Sequence, residues 1–264
     1  MKTRSHLLRA VDWLFTIPFL VVFGLALGIF DPLQRIARVF GPRPQEIVVG
    51  TLQRILILVF GLTGTHLRVE RSPAVRPWTP YLVVANHQSM FDVPIFGGLL
   101  FTNFPKYVAK RSLARWIPSI SYNLRRGGNA LIDRQDPEQA LEAIRLLARG
   151  VEERGVSAVI FPEGTRARKG DTGVFKPRGT LELLKHAPRT AIVPVAIDGS
   201  WRLLRHNMFP VPFGVRVRVW IGAPIDRRHG EDYGALLSHV ESQIRAKISE
   251  WRASDAVPQE ERSH

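Results

Sequence analysis

The chain has no cysteine in its 264 residues. That excludes disulfides, thiolate nucleophiles and cysteine-based zinc sites. Acidic residues are also scarce, 23 against 37 basic ones, leaving a formal charge of +14. Such a surplus points to an anionic partner, whether nucleic acid, an anionic lipid surface or a phosphorylated small molecule. No internal repeat and no low-complexity stretch interrupts the sequence. What the chain does have is 45% hydrophobic residues, enough for a packed core, and a length suited to one α/β domain with a short appendage.

The N-terminus favours lipid among those partners. Residues 13–30 are apolar except for Thr16, with Lys2, Arg4 and Arg9 before them and Arg35 and Arg38 after them. A helix of that length spans about 27 Å, the lower limit for crossing a hydrocarbon core. No small-x-small cleavage motif follows, and a second apolar segment comes soon after, so a signal peptide is not expected. Pro18, Gly24 and Gly28 suit a membrane helix better than a buried core helix. The second segment, 47–62, carries Gln53 and Arg54 at its middle. Crossing would place an arginine near the bilayer centre at about 2.5–3.5 kcal/mol, whereas a helix at the interface lets Arg54 reach the headgroups. The connection between the segments holds Arg35, Arg38 and Arg43 against Asp31 and Glu46. Two crossings would set it opposite the basic N-terminus, against the positive-inside tendency. The expectation is a two-helix anchor over residues 1–70, dipping into one leaflet and separable from the rest.

Ser72, Pro73, Pro77 and Pro80 break periodicity and place a boundary near Arg71. From 71 to 252, strand-like and helix-like runs alternate, and 253–264 read as a polar tail. Strands are expected at 81–85, 107–109, 130–132, 157–161, 191–197 and 215–221. In the last, Arg216 and Arg218 alternate with Val215, Val217 and Val219, the pattern of a strand with one exposed face. A helix opens at Asp136 with Pro137 and Gln139 in capping-box positions and closes at Gly155. Further helices are expected over 178–186 and 233–251. The fold class is therefore α/β, with a mixed, largely parallel central sheet covered by helices on both sides.

Two constellations carry chemistry. Asn86-His87-Gln88-Ser89-Met90-Phe91-Asp92 follows the strand at 81–85, where α/β proteins place active-site loops. A histidine there can act as general base, with a carboxylate on its other nitrogen fixing the tautomer. Residues five apart on a helix point about 140° from each other, so His87 belongs in the loop and Asp92 at a helix start. The alternative is Asp92 as a plain N-cap and His87 as an ordinary loop residue. Composition alone gives about 0.3 chance matches to such a spacing. A metal is not expected, because no third ligand lies nearby in sequence. The second constellation, Phe161-Pro162-Glu163-Gly164-Thr165-Arg166, also follows an apolar strand. Its arginine fork suits phosphate and its carboxylate suits a glycerol hydroxyl; the plain alternative is a surface turn with a salt bridge. Lys110 and Arg134 each end an apolar strand, so each could face the same mouth of the sheet or stand as an ordinary surface charge.

The order NHQSMFD, GGNALIDR, FPEGTR and IVPVAI resembles the four-block pattern of the glycerolipid acyltransferase superfamily. Within it, the chain is most similar to bacterial 1-acylglycerol-3-phosphate acyltransferases. The blocks span roughly residues 80–200, and the apolar N-terminus also fits. The resemblance implies that His87 deprotonates an acceptor hydroxyl while Asp92 orients it. Glu163, Gly164, Thr165 and Arg166 would hold the acceptor, with Lys110 and Arg134 on its phosphate. The donor would be an acyl thioester, acyl-CoA or acyl carrier protein, and neither cofactor nor metal is implied. Pro194 would be structural or part of an acyl-chain wall. Where such families often follow the block-two lysine with an acidic residue and leucine, this chain reads Lys110-Arg111-Ser112-Leu113. The implied function is conversion of lysophosphatidic acid to phosphatidic acid at the cytoplasmic face of a bacterial-type inner membrane. Another lyso-lipid acceptor, such as a lyso-ornithine lipid, is the nearest alternative. A non-catalytic basic membrane-binding protein is the distant one, and it would not need His87 and Asp92 to touch. A nucleic-acid partner is not expected, since no recognised module appears.

Overall fold

The structure is a computed structural model describing residues 6–206, 209–227 and 230–256. It opens with helix α1 (His6–Val39) and helix α2 (Pro42–Val59), joined by a tight turn in which Gly41 takes φ of 122°. Then come β1 (His66–Arg71), β2 (Leu82–Ala85), α3 (Asp92–Leu99), β3 (Lys106–Lys110), α4 (Ile120–Arg126), β4 (Ala130–Ile132) and α5 (Pro137–Arg154). The remainder is β5 (Ala158–Ile160), α6 (Pro177–His186), β6 (Ile192–Asp198), β7 (Arg216–Ile221) and α7 (Tyr233–Ala256).

One seven-stranded sheet runs in the order β1-β7-β6-β2-β5-β3-β4. Strands β6, β2, β5, β3 and β4 are mutually parallel; β7 is antiparallel to β6 and β1 parallel to β7. The mixed, largely parallel sheet is thus as expected. Short strands that are apolar on both faces suit its centre, and β2 and β6 are buried throughout. Alternate residues feed two cores. Val83, Ala85, Val193, Val195 and Ile197 pack with Phe19 of α1, Val59 of α2, and Ile95 and Phe96 of α3. Leu82, Val84, Ile192 and Ala196 pack with Ile144 and Ala148 of α5, Leu183 of α6 and Ile244 of α7.

The cap of α5 forms as its sequence implies, with Asp136 Oδ1 accepting from Gln139 N at 3.0 Å and Gly155 closing the helix at φ 61°. The reciprocal half does not form. The Gln139 amide instead accepts from Asp133 N at 2.8 Å and donates to Leu131 O at 2.9 Å, tying the helix to the end of β4.

Three expectations need correction. The sheet begins at His66, because β1 pairs in full with β7, so a boundary at Arg71 would cut a strand away from its ladder. Its alternating His66-Leu67-Arg68-Val69 pattern was obscured by the prolines that follow. Residues 1–70 are also no detachable appendage, since Phe19 and Phe60 lie buried against the sheet. Arg54 is exposed, with its guanidinium 4.0 Å over the Phe101 ring. At the other end, α7 continues to Ala256, so residues 253–256 are helix, and 257–264 lie outside the described residues.

One side of α1 remains bare. Trp13, Ile17, Val21, Leu25, Ile29 and Leu33, spaced by four, are 43–58% exposed. Both α1 and the segment from Pro42 to Thr63 are long and apolar enough to cross a membrane.

Candidate active site

The parallel strands all end at one edge of the sheet, and the loops leaving β2, β5, β3, β4 and β6 carry the residues singled out by sequence. The loop after β2 is fixed at its root. Asn86 donates to Ile197 O at 2.9 Å and accepts from Ile197 N at 2.8 Å, substituting for a ladder pair with β6. The chain then turns so that His87 lies in the loop and Asp92 is the first residue of α3.

Asp92 is fully buried, and burying a carboxylate is unfavourable unless it is well bonded. It accepts four hydrogen bonds. Oδ2 takes Gln88 N at 2.7 Å, Ser89 N at 2.9 Å and His87 Nδ1 at 2.9 Å, while Oδ1 takes Ser200 Oγ at 2.6 Å. Those backbone donors precede α3, so Asp92 shapes the loop and is not the cap of its own helix. A carboxylate only accepts, so Nδ1 carries the hydrogen and Nε2 keeps a lone pair. The imidazole stacks on Phe161 at 4.1 Å and 17°, and its side chain is 17% exposed. No hydroxyl or thiol bonds Nε2 among the described residues; Ser89 Oγ accepts from Phe91 N and Ser200 Oγ serves Asp92. Among the described residues, the imidazole therefore has no protein nucleophile beside it.

The loop after β5 wraps around the first. Glu163 is 3% exposed, its Oε1 accepting from His87 N and its Oε2 from Gly173 N, both at 2.8 Å. Burial holds its pKa above the usual carboxylate range, against the pull of those two bonds. That geometry corrects the expectation of a carboxylate facing a substrate hydroxyl: Glu163 clamps two loops together. Gly164 takes φ of 67°, which disfavours a side chain there. Thr165 is exposed.

Arg166 is half-buried, and its side chain has no hydrogen-bond or ion-pair partner among the described residues. Burial lowers its pKa, the charges of Arg168 and Arg134 lower it further, and Asp92 opposes them. Arg134, just beyond β4, and Lys110, the last residue of β3, are exposed and likewise unpaired among the described residues. Half-buried Arg166 and exposed Arg134 thus lie at the same edge as a histidine whose Nε2 has no protein partner among the described residues, and a guanidinium so placed can bind an anion.

Sequence reasoning missed Ser200 and the structural use of Asn86 and Gly173. Ser200 had a usable signal, following the apolar β6 by two residues at the same edge as His87. Gly173 had none, because its contact depends on how a long loop folds back.

Residues 66–198, half of the chain, match the family model described as Acyltransferase. The chain is 31% identical over 165 residues to a 1-acyl-sn-glycerol-3-phosphate acyltransferase of Cocos nucifera, covering 60% of this chain and 51% of that protein. It is 29% identical over 191 residues to the alpha form from Mus musculus, covering 72% and 66%. The chain spans about half the length of several curated relatives it matches. Its fold is shared with the 1-acyl-sn-glycerophosphate (LPA) acyltransferase PlsC from Thermotoga maritima, at TM-score 0.72 and 23% identity, over 92% of this chain and 96% of that one. With the family's region reaching from β1 to the end of β6 and the paired histidine and aspartate inside it, the chain belongs to the acyltransferase family.

Proposed function

We propose that this protein transfers a fatty acyl group from an acyl thioester to the free hydroxyl of lysophosphatidic acid, giving phosphatidic acid. The observation that carries this reading is the free Nε2 lone pair of the His87–Asp92 pair, set beside unpaired Arg166 and Arg134. Nε2 takes the proton as the acceptor oxygen attacks the thioester carbonyl. The tetrahedral intermediate then collapses with loss of the C–S bond, and the imidazolium returns the proton to the departing thiolate. Buried Asp92 stabilises the imidazolium between those steps. Arg166 takes the acceptor phosphate, helped by Arg134 and Lys110, because a guanidinium can give it two parallel bonds. Glu163, Gly164 and Thr165 shape the loop that presents Arg166.

The acceptor lives in a bilayer, and the two apolar helices support a reading in which the site works at its surface. α1 is held to the body near both ends, by Asp12 Oδ1 accepting from Phe213 N at 2.7 Å and by Gln34 Nε2 donating to Ser119 O at 2.9 Å. Those contacts are about 33 Å apart along the helix, so a perpendicular crossing would drag polar loops through hydrocarbon. Lying along the interface, α1 offers its bare apolar stripe to one leaflet. The surplus of cations suits the anionic cytoplasmic face of an inner membrane.

Purified protein assayed with acyl-CoA and with acyl carrier protein, against lysophosphatidic acid and other lyso-lipids including a lyso-ornithine lipid, tests the reading. Turnover with lysophosphatidic acid well above the phosphate-free acceptors is the expected result. Equal turnover on a phosphate-free acceptor would reassign the substrate, and vesicle binding without turnover would leave a non-catalytic membrane protein.

A further inference from the structure

From residue 93 to 132 the chain contains no acidic residue, yet it holds Lys106, Lys110, Arg111, Arg115, Arg125 and Arg126. Lys106 is buried and paired with Glu46. The others crowd around the segment between β3 and α4. Arg111, Arg115 and Arg126 are exposed and have no hydrogen-bond or ion-pair partner among the described residues. Within this segment Trp116 is 96% exposed, the most exposed of the large hydrophobic side chains described, and Leu113 is 46% exposed.

The exposure is not slack. Trp116 has φ of 68° and Ser119 φ of 59°, a conformation unfavourable for bulky residues and kept only where surroundings enforce it. The enforcement comes from α1. Asp31 Oδ1 accepts from Ser119 N at 2.7 Å, Leu27 O accepts from Ser119 Oγ at 2.9 Å, and buried Gln34 donates to Ser119 O at 2.9 Å. Ile117 and Ile120 pack on Ala26, Leu27, Leu52 and Leu56 of the hairpin. Trp78, also exposed and at positive φ, differs in resting on Phe104; Trp116 has no ring or cation partner among the described residues.

We propose that residues 111–117 form a second membrane contact, separate from the apolar stripe of α1, in which Trp116 and Leu113 enter the headgroup region of an anionic leaflet. An indole with an apolar body and a polar N–H suits that depth, and Arg111, Arg115 and Arg126 supply the charge complementarity. The contact is continuous with the hairpin through Ser119, so α1 and the loop are set at fixed relative heights. Lys110, immediately before the loop, is thereby held at the level of lipid phosphates. This inference rests on the membrane reading of the hairpin.

The test is flotation of the full-length protein with phosphatidylglycerol–phosphatidylethanolamine vesicles and with phosphatidylcholine vesicles. Trp116→Ala should bind the anionic vesicles at least about tenfold more weakly than wild type, with an unchanged unfolding midpoint because the side chain touches nothing. Arg115→Ala should lose about fivefold on anionic vesicles and little on phosphatidylcholine. In the wild-type-minus-Trp116→Phe difference spectrum, fluorescence should shift to the blue and be quenched by lipids labelled near the headgroup. Unchanged binding by Trp116→Ala, or no quenching, overturns the second contact while leaving the hairpin anchor standing. Failure of wild type to bind either vesicle overturns both.

Discussion

The two ends of the parallel strands treat positive charge in opposite ways. At the end where β3 begins, one buried carboxylate gathers three cations: Glu46 of α2 meets Lys106 at 2.9 Å, Arg154 at 2.7 Å and Arg43 at 3.0 Å. At the end where β5 and β4 finish, the side chains of Arg166 and Arg134 have no partner among the described residues; Asp92 and Glu163 are occupied by backbone amides, His87 and Ser200, Asp198 by Arg252 and Gln88, and Asp133 accepts from Gln135 N. Folding alone favours the first arrangement. The second leaves unmet charge that a ligand must complete, which is why the edge with unpaired cations reads as the site and the better-paired edge reads as structure.

The sharpest way to break the comparison is to remove charge from each end. Glu46→Ala leaves buried Lys106 without its carboxylate, beside exposed Arg43 and Arg154, and should lower unfolding free energy by about 3 kcal/mol, measured by denaturant titration in detergent. Its kcat per folded molecule should stay near wild type. Arg166→Ala should do the reverse. It breaks no ion pair, so stability should hold or rise slightly, while kcat/KM for lysophosphatidic acid falls by about ten- to a hundredfold. A comparable fall on a phosphate-free acceptor would detach Arg166 from phosphate.

The pH dependence separates the ends further. Burial lowers the Lys106 pKa to about 8 despite its bond to Glu46. Between that value and the ordinary 10.5, the unfolded chain holds a proton that the folded chain has released. Stability from this group therefore rises with pH across that window, and its penalty is complete below about 8. Compared with Lys106→Met, wild type should gain at most about 1.4 kcal/mol per pH unit from pH 8 to 10. A parallel pH course for the two proteins would show that Lys106 titrates normally. The smallest effect belongs to Ser200→Ala, which removes one of the four bonds to Asp92 and should reduce kcat about fivefold, with KM unchanged. Ser200→Thr, if its hydroxyl reaches Asp92, should restore most of that loss.

Much of the candidate site was legible because loop chemistry was written next to its strands. His87 and Asp92 flank a turn that only a loop-to-helix transition can close, and Arg166 and Arg134 follow short apolar runs. Glu163 was misjudged because sequence shows a carboxylate beside the site but not what it is bonded to. The hairpin misled in another way. Apolar composition records that 13–30 avoid water, yet it does not distinguish lipid from the sheet, and α1 packs one face on the sheet while leaving the other bare. The cluster at Glu46 was invisible, since Lys106 and Arg154 are far in sequence from the Arg43–Glu46 pair and only the packing of α2 on the body unites them.

The most direct measurement is single-site turnover of His87→Ala in detergent, with acyl-CoA and lysophosphatidic acid and a parallel check of folding and vesicle binding. A fall of about 10²–10⁴-fold in kcat, with folding and membrane binding intact, is the expected result. Turnover near that of wild type would contradict the assignment of His87 as the base and, with it, the reading of this edge as the active site.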